Sequence, residues 1–152
     1  MIVVQTKKAR HKGSGWFFIM TAIAIAAILY YGFRPGKGNA TLFFLSQDYT
    51  TFVRESRKLP LSGSVENRTE ILIRELLLGP INNANKPLFW GGAVLRTVMD
   101  RSGMLHIDIS IQDLAGQKVG MTLIRQAIVK SIIASIPGAP PIFLYADGYP
   151  IE

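Results

Sequence analysis

Residues 94–110, VLRTVMDRSGMLHIDIS, decide the fold. From Met104 to Ser110, Leu105, Ile107 and Ile109 alternate with His106, Asp108 and Ser110, the period-two pattern of a strand with one apolar and one wet face. Val94 to Met99 reads as a second strand. Asp100-Arg101-Ser102-Gly103 between them suits a hairpin connection.

Helices flank this hairpin on both sides. Asn67, with Glu70 three residues later, marks a helix start, because the amide oxygen can accept a free backbone N–H and the carboxylate can reach back. The helix predicted over Arg68 to Leu78 carries Leu72 and Leu76 on one face, with Ile73 and Leu77 beside them. Gly79-Pro80 ends it, since proline cannot continue a helix. A second helix, Gln117 to Ile136, aligns Ile124, Ile128, Ile132 and Ile136 in one row opposite Arg125, Gln126 and Lys130. Thr41 to Leu45 is apolar on both faces, as in a buried central strand. Thr51 to Leu59 alternates charges in the manner of an exposed edge strand. Ile142 to Tyr145 is the last strand. The predicted class is therefore α+β: a β-β-α-β-β-α-β domain with both helices on one face of a mixed sheet.

Upstream lies WFFIMTAIAIAAILYYGF, residues 16–33, after a tail bearing Lys7, Lys8, Arg10 and Lys12. Eighteen helical residues would rise about 27 Å against a hydrocarbon core of roughly 30 Å. The expectation is a transmembrane signal anchor formed by Trp16, Phe17, Phe18, Ile19, Ile23, Ile25, Ile28, Leu29, Tyr30 and Tyr31, with aromatic rings at its ends. The basic tail, residues 1–15, would hold the N-terminus in the cytoplasm. A linker over 34–40 would then lead to an extracytoplasmic domain over 41–152, giving a single-pass protein of a bacterial inner membrane with the bilayer itself as a partner. A cleaved export signal, cut near Ala40, is the alternative.

Charge limits the partners. Four of the seventeen basic residues lie in the tail and none of the ten acids do, so the remainder has thirteen bases against ten acids. Apart from Arg54, Arg57 and Lys58 these bases are scattered, so no nucleic-acid partner is expected. The chain has no cysteine, which removes disulfides, thiol catalysis and cysteine-ligated metals.

Catalytic groups are sparse. His106 and Asp108 share a strand face, where a carboxylate could orient an imidazole base, but alternating polar residues give the same pattern. Asp48, Glu55, Asp100, Asp113 and Asp147 fall in turns or on edges, where carboxylates cap backbone amides. Gly91-Gly92 and Gly116-x-x-x-Gly120 lack the Lys-Ser/Thr ending of a phosphate loop. His11 sits in the tail. The expectation is no enzyme, no cofactor and no metal. Phe89 and Trp90, followed by two glycines, are candidate interface anchors, with Arg54 and Arg57 as further contact candidates.

The body resembles the GerMN domain family of bacterial envelope proteins. The resemblance rests on Leu42-Phe43-Phe44-Leu45, Glu75-Leu76-Leu77-Leu78-Gly79-Pro80, Leu105-His106-Ile107-Asp108-Ile109-Ser110, the Ile-rich second helix and Phe143-Leu144-Tyr145-Ala146-Asp147-Gly148. Asn82 to Trp90 departs from the family pattern. The resemblance implies a non-catalytic, extracytoplasmic assembly module, similar in fold to ring-building modules and associated with sporulation or germination. Its partners would be other envelope proteins or further copies of itself. A cell-wall-binding or cell-wall-modifying domain is the alternative function.

Overall fold

Strand β4 (Met104–Ile111) organises the domain, because its alternate residues Leu105, Ile107, Ile109 and Ile111 are all buried. The structure, a computed structural model, describes residues 14–32 and 38–151. The chain divides into two compact units, Met1–Arg34 and Pro35–Glu152.

In the second unit β1 (Gly38–Leu45) and β2 (Phe52–Leu59) form an antiparallel pair. Helix α2 (Val65–Leu77) follows, then the hairpin of β3 (Ala93–Arg101) with β4. Helix α3 (Met121–Ser135) crosses over to β5 (Ile142–Ala146), and β6 (Tyr149–Pro150) closes a short hairpin with β5. β5 runs parallel to β4, an arrangement that needs a long connection, and α3 with its flanking loops provides it. Leu42, Phe44, Leu72, Ile73, Ile124 and Ile128 complete the core and are fully buried. Burying each side chain of this size stabilises the fold by roughly 1.5–3 kcal/mol.

Among the described residues the expected single mixed sheet is instead two sheets, β1-β2 and β3-β4-β5-β6. The outer edge of β1 explains why. Among the described residues no strand continues the ladder there, and Lys86 alone bridges its end, donating its N–H to the Leu45 carbonyl at 2.7 Å. The backbone N–H of Thr41 donates to Ser135 Oγ at 2.8 Å and that of Phe43 to Ser131 Oγ at 2.9 Å. Ser135 Oγ also donates to the Thr41 carbonyl at 3.0 Å. Hydroxyls of α3 thus take the place of a neighbouring strand, and both residues sit on one helix face because they are four apart.

Two boundaries also differ from the sequence reading. The cap of α2 is Ser64, whose side chain accepts from the Asn67 N–H at 3.2 Å, so Asn67 lies inside the first turn. Helix α3 begins at Met121 rather than Gln117. Ala40 is fully buried within β1, opposite Arg57, so the folded strand uses the residues around the suggested cleavage point.

The first unit holds α1 (Ser14–Gly32), 19 residues long. Among the described residues no helix is long and apolar enough to cross a membrane. This corrects the expectation of a membrane-spanning signal anchor over residues 16–33 and the fold class that included it. Helix α1 has Ser14, Gly15 and Gly32 at its ends. Lys7, Lys8, Arg10, Lys12 and the linker residues 34–37 lie outside the described residues.

Candidate interaction surface

The polar alternation of β4 places His106 and Asp108 on the face of the four-stranded sheet opposite the core. Register then brings residues from three strands into rows: Met99, His106 and Phe143 in one, Thr97, Asp108 and Tyr145 in the next. The His106 ring lies 5.5 Å from that of Phe143 at 17° and 5.9 Å from that of Tyr145 at 22°. Its Nδ1 is 3.2 Å from the Tyr145 hydroxyl. Met99 and Phe143 are each 45% exposed, so the row is open to solvent.

Asp108 turns away from His106 to other partners. It accepts the Gly148 N–H at 3.0 Å and lies 3.6 Å from the Arg96 guanidinium. Arg96 also reaches within 3.9 Å of Asp147. Asp147, in the β5–β6 turn at φ 51°, accepts from Ser110 Oγ at 2.6 Å and from the Ile111 N–H at 3.2 Å. The Ser110 hydroxyl, the Ile111 amide and the Arg96 charge together hold its carboxyl below the usual aspartate range, against a smaller opposing effect of burial. The imidazole and the two carboxylates therefore serve structural bonds, and this geometry assembles no acid–base pair.

Of the residues singled out in the sequence, His106 and Asp108 lie on this face, and the interface candidates Phe89, Trp90, Arg54 and Arg57 lie elsewhere. Phe89 is buried in the core. Trp90 is half-buried. Its N–H donates to Gln117 Oε1 at 3.0 Å, its carbonyl accepts from Gln117 Nε2 at 2.5 Å, and Lys118 Nζ stands 4.3 Å above its ring. The indole N–H is buried with no acceptor among the described residues. Arg57 is buried between Glu55 and Glu75, and its Nη2 donates to the Gly79 carbonyl at 2.6 Å. Arg54 is exposed on β2 opposite Phe43. Asp48 and Asp113 act as turn caps: Asp48 accepts from Thr50 and Ser46, and Asp113 accepts the Gly116 N–H at 2.8 Å, while the Asp100 N–H donates to Glu66 Oε1. Among the described residues no group of three metal-ligating side chains forms.

The sequence did not single out Arg96, named Asp147 only as a turn acid, and named Phe143 and Tyr145 only within the closing family motif. Phe143 and Tyr145 alternate about Leu144, which marks them as one strand face. Their meeting with His106 depends on the parallel register of β4 and β5, and no local signal carries that register.

The fold and this open face define an α+β module in which Asp48, Glu55, Glu66, Asp108, Asp113 and Asp147 each accept a backbone N–H. Residues 41–152 match the Germane family, described as sporulation and spore germination, and the chain belongs to that family. Among solved structures it is similar to the tandem GerMN domains of the sporulation protein GerM from Bacillus subtilis, with 16% identity and a TM-score of 0.52. That match covers 74% of this chain and 40% of the other, so the chain spans well under half of that relative's length. A putative lipoprotein from Clostridium perfringens is 23% identical over 75% of this chain and 77% of its own, with a TM-score of 0.41. No curated protein matches the chain in sequence.

Proposed function

We propose that the domain is a non-catalytic protein-interaction module of the bacterial cell envelope, acting in an assembly related to sporulation or germination and contacting envelope proteins through the outer face of its four-stranded sheet. The observation that carries this reading is the solvent-open row of Met99, His106 and Phe143. Exposed aromatic and methionine side chains are characteristic of interface cores. The occupied state of every nearby acid speaks against a catalytic role. An extracytoplasmic location is supported by the order of basic residues followed by an apolar stretch over residues 7–29. That order, a basic start followed by an apolar middle, is the one an export signal has.

The test is a photo-crosslinking amino acid placed at Phe143 in the full chain in living cells. A defined crosslinked protein, lost when Met99 is replaced by Asp, supports the reading. Equal crosslinking at Phe143 and at the exposed Gln126 of α3 would contradict it. Fractionation of the same cells reads out location, and recovery of the domain in the cytoplasm would overturn the envelope assignment.

The exposed Phe143 ring, one row from the Asp108–Arg96 pair, also favours a second reading, binding of cell-wall glycan, since sugars stack on aromatic rings and bond to nearby charges. Co-sedimentation with purified peptidoglycan, abolished by Phe143→Ala, would establish it. Absence of co-sedimentation would remove it.

A further inference from the structure

A cleft of about 530 Å³ opens between the β5–β6 turn and the first turn of α3. Leu114, Met121, Tyr149, Pro150 and Ile151 line it with apolar surface, and Asp147 is the one ionisable carboxylate among its lining residues. Among the described residues no lysine or arginine lines it. We propose that this cleft receives an aromatic or large aliphatic side chain of a partner protein, with a neighbouring lysine or arginine of the same partner segment seated against Asp147. The proposal rests on reading the domain as an interaction module and names a second contact point and its chemistry.

Size, lining and charge each narrow the occupant. The volume lies within the ordinary range for ligand pockets, and the walls reward apolar burial at about 25 cal/mol per Å². At the rim, Leu114 is 58% and Tyr149 77% exposed, so large apolar side chains stand in water until a partner covers them. Such rims surround buried anchors at protein interfaces. Asp147 fixes the polar end. Each of its oxygens takes one internal hydrogen bond, from Ser110 and Ile111, and a carboxylate retains further lone pairs for a cation. Those two bonds also keep it ionised at neutral pH, so an anionic ligand meets repulsion with no cation in the lining to offset it. Arg96 stands 3.9 Å away and is more than half exposed. A pair of that kind contributes little and yields easily to an incoming cation.

The test uses the full chain with labelled methyl groups and three probe peptides: N-acetyl-Trp-Lys-amide, N-acetyl-Trp-Glu-amide and N-acetyl-Gly-Lys-amide. The Trp-Lys probe is expected to shift the Leu114, Met121 and Ile151 methyl resonances saturably, binding at least about 5-fold tighter than Trp-Glu, the scale of one partly exposed ion pair. Gly-Lys is expected to leave them unmoved. Asp147→Asn should erase the preference for Trp-Lys over Trp-Glu while residual Trp binding persists. Asparagine tolerates the φ of 51° at this position, so the variant keeps the turn. Tyr149→Ala, at an exposed site, should weaken both Trp probes. Equal binding of Trp-Lys and Trp-Glu, unchanged preference in Asp147→Asn, or no methyl shifts with any probe would each overturn the proposal. Crosslinking at Phe143 that survives such a result would leave the interaction module standing, whereas its loss would remove that reading separately.

Discussion

Ser131 Oγ lies 2.9 Å from the backbone nitrogen of Phe43 and accepts its hydrogen bond, while donating its own proton to the Ala127 carbonyl at 2.7 Å. A fully buried hydroxyl on a helix thus closes the open edge of β1 and is itself satisfied. An open edge is a template for unwanted pairing, and a helix that covers it with two serines holds β1 apart from the larger sheet. Ser131→Ala would strand the Phe43 N–H in a site with little water, at a cost of about 1–3 kcal/mol. Ser135→Ala should cost less, because Ser135 is half-buried and water can replace it. Urea unfolding of both variants measures the difference, and an unchanged midpoint for Ser131→Ala would refute the edge-closing role.

Arg57 joins four parts of the chain through one guanidinium. It meets Glu55 at 2.8 Å, Glu75 at 3.0 Å and the Gly79 carbonyl at 2.6 Å, and it lies 5.4 Å from the Phe44 ring centroid. Glu55 in turn accepts the Ile81 N–H at 3.1 Å. The fork therefore ties β2 to the end of α2 and to the loop beyond it. Arg57→Ala leaves Glu55 with its side chain 14% exposed and without its cation, a change expected to cost about 3–5 kcal/mol. Arg57→Lys should recover only part of this, since a point-like ammonium cannot reach two carboxylates and a carbonyl as a planar fork does. Thermal melts of the two variants decide it. A lysine variant as stable as the parent would show that charge alone suffices.

These two relationships also mark how far the sequence could be read. The alternation of β4, the isoleucine row of α3 and the Gly79-Pro80 stop are local patterns, and each falls on the element it predicted. The number of sheets was not legible, because it depends on which groups satisfy the far edge of β1. Two serines eighty-eight and ninety-four residues away do so. Arg57 looked like a surface charge because β2 alternates charged residues, yet its alternate positions Arg57 and Leu59 point inward. The apolar run over residues 16–33 suggests a membrane span, yet among the described residues no helix is long and apolar enough to cross one. The outer-face row was hidden for a different reason: it joins three strands through a parallel register that only the folded crossover sets.

Acid should weaken the fold through the same network. Burial pushes the Glu55 carboxyl up, but the bonds from Arg57 and from the Ile81 amide outweigh it, so its folded value lies below the ordinary 4.5. A carboxyl with a depressed folded value stabilises the native state above its unfolded value, and that contribution is lost as pH falls through the folded one. Asp147 acts in the same sense from its ordinary 3.8. Stability is therefore expected to be level above about pH 5 and to fall progressively below 4.5 as these groups bind protons. Glu55→Gln should flatten the upper part of that fall while lowering stability at pH 7. Urea midpoints collected between pH 3 and 7 check it, and a parent-like slope in Glu55→Gln would assign the acid loss elsewhere.

Gln117 and Lys118 hold Trp90 in two different ways, and fluorescence can separate them. Gln117 brackets the Trp90 backbone, accepting from its N–H and donating to its carbonyl. Lys118 lies over the ring at 4.3 Å, a cation–π contact worth roughly 0.5–1 kcal/mol at an exposed site. In a Trp16→Phe background, Trp90 is the sole tryptophan. Lys118→Met should shift its emission with a stability loss of less than about 1 kcal/mol. Gln117→Ala removes two backbone partners at once and should cost about 1–3 kcal/mol, loosening the segment that leads into α3. If Gln117→Ala leaves stability unchanged while Lys118→Met lowers it, the ring contact rather than the backbone bracket fixes this segment.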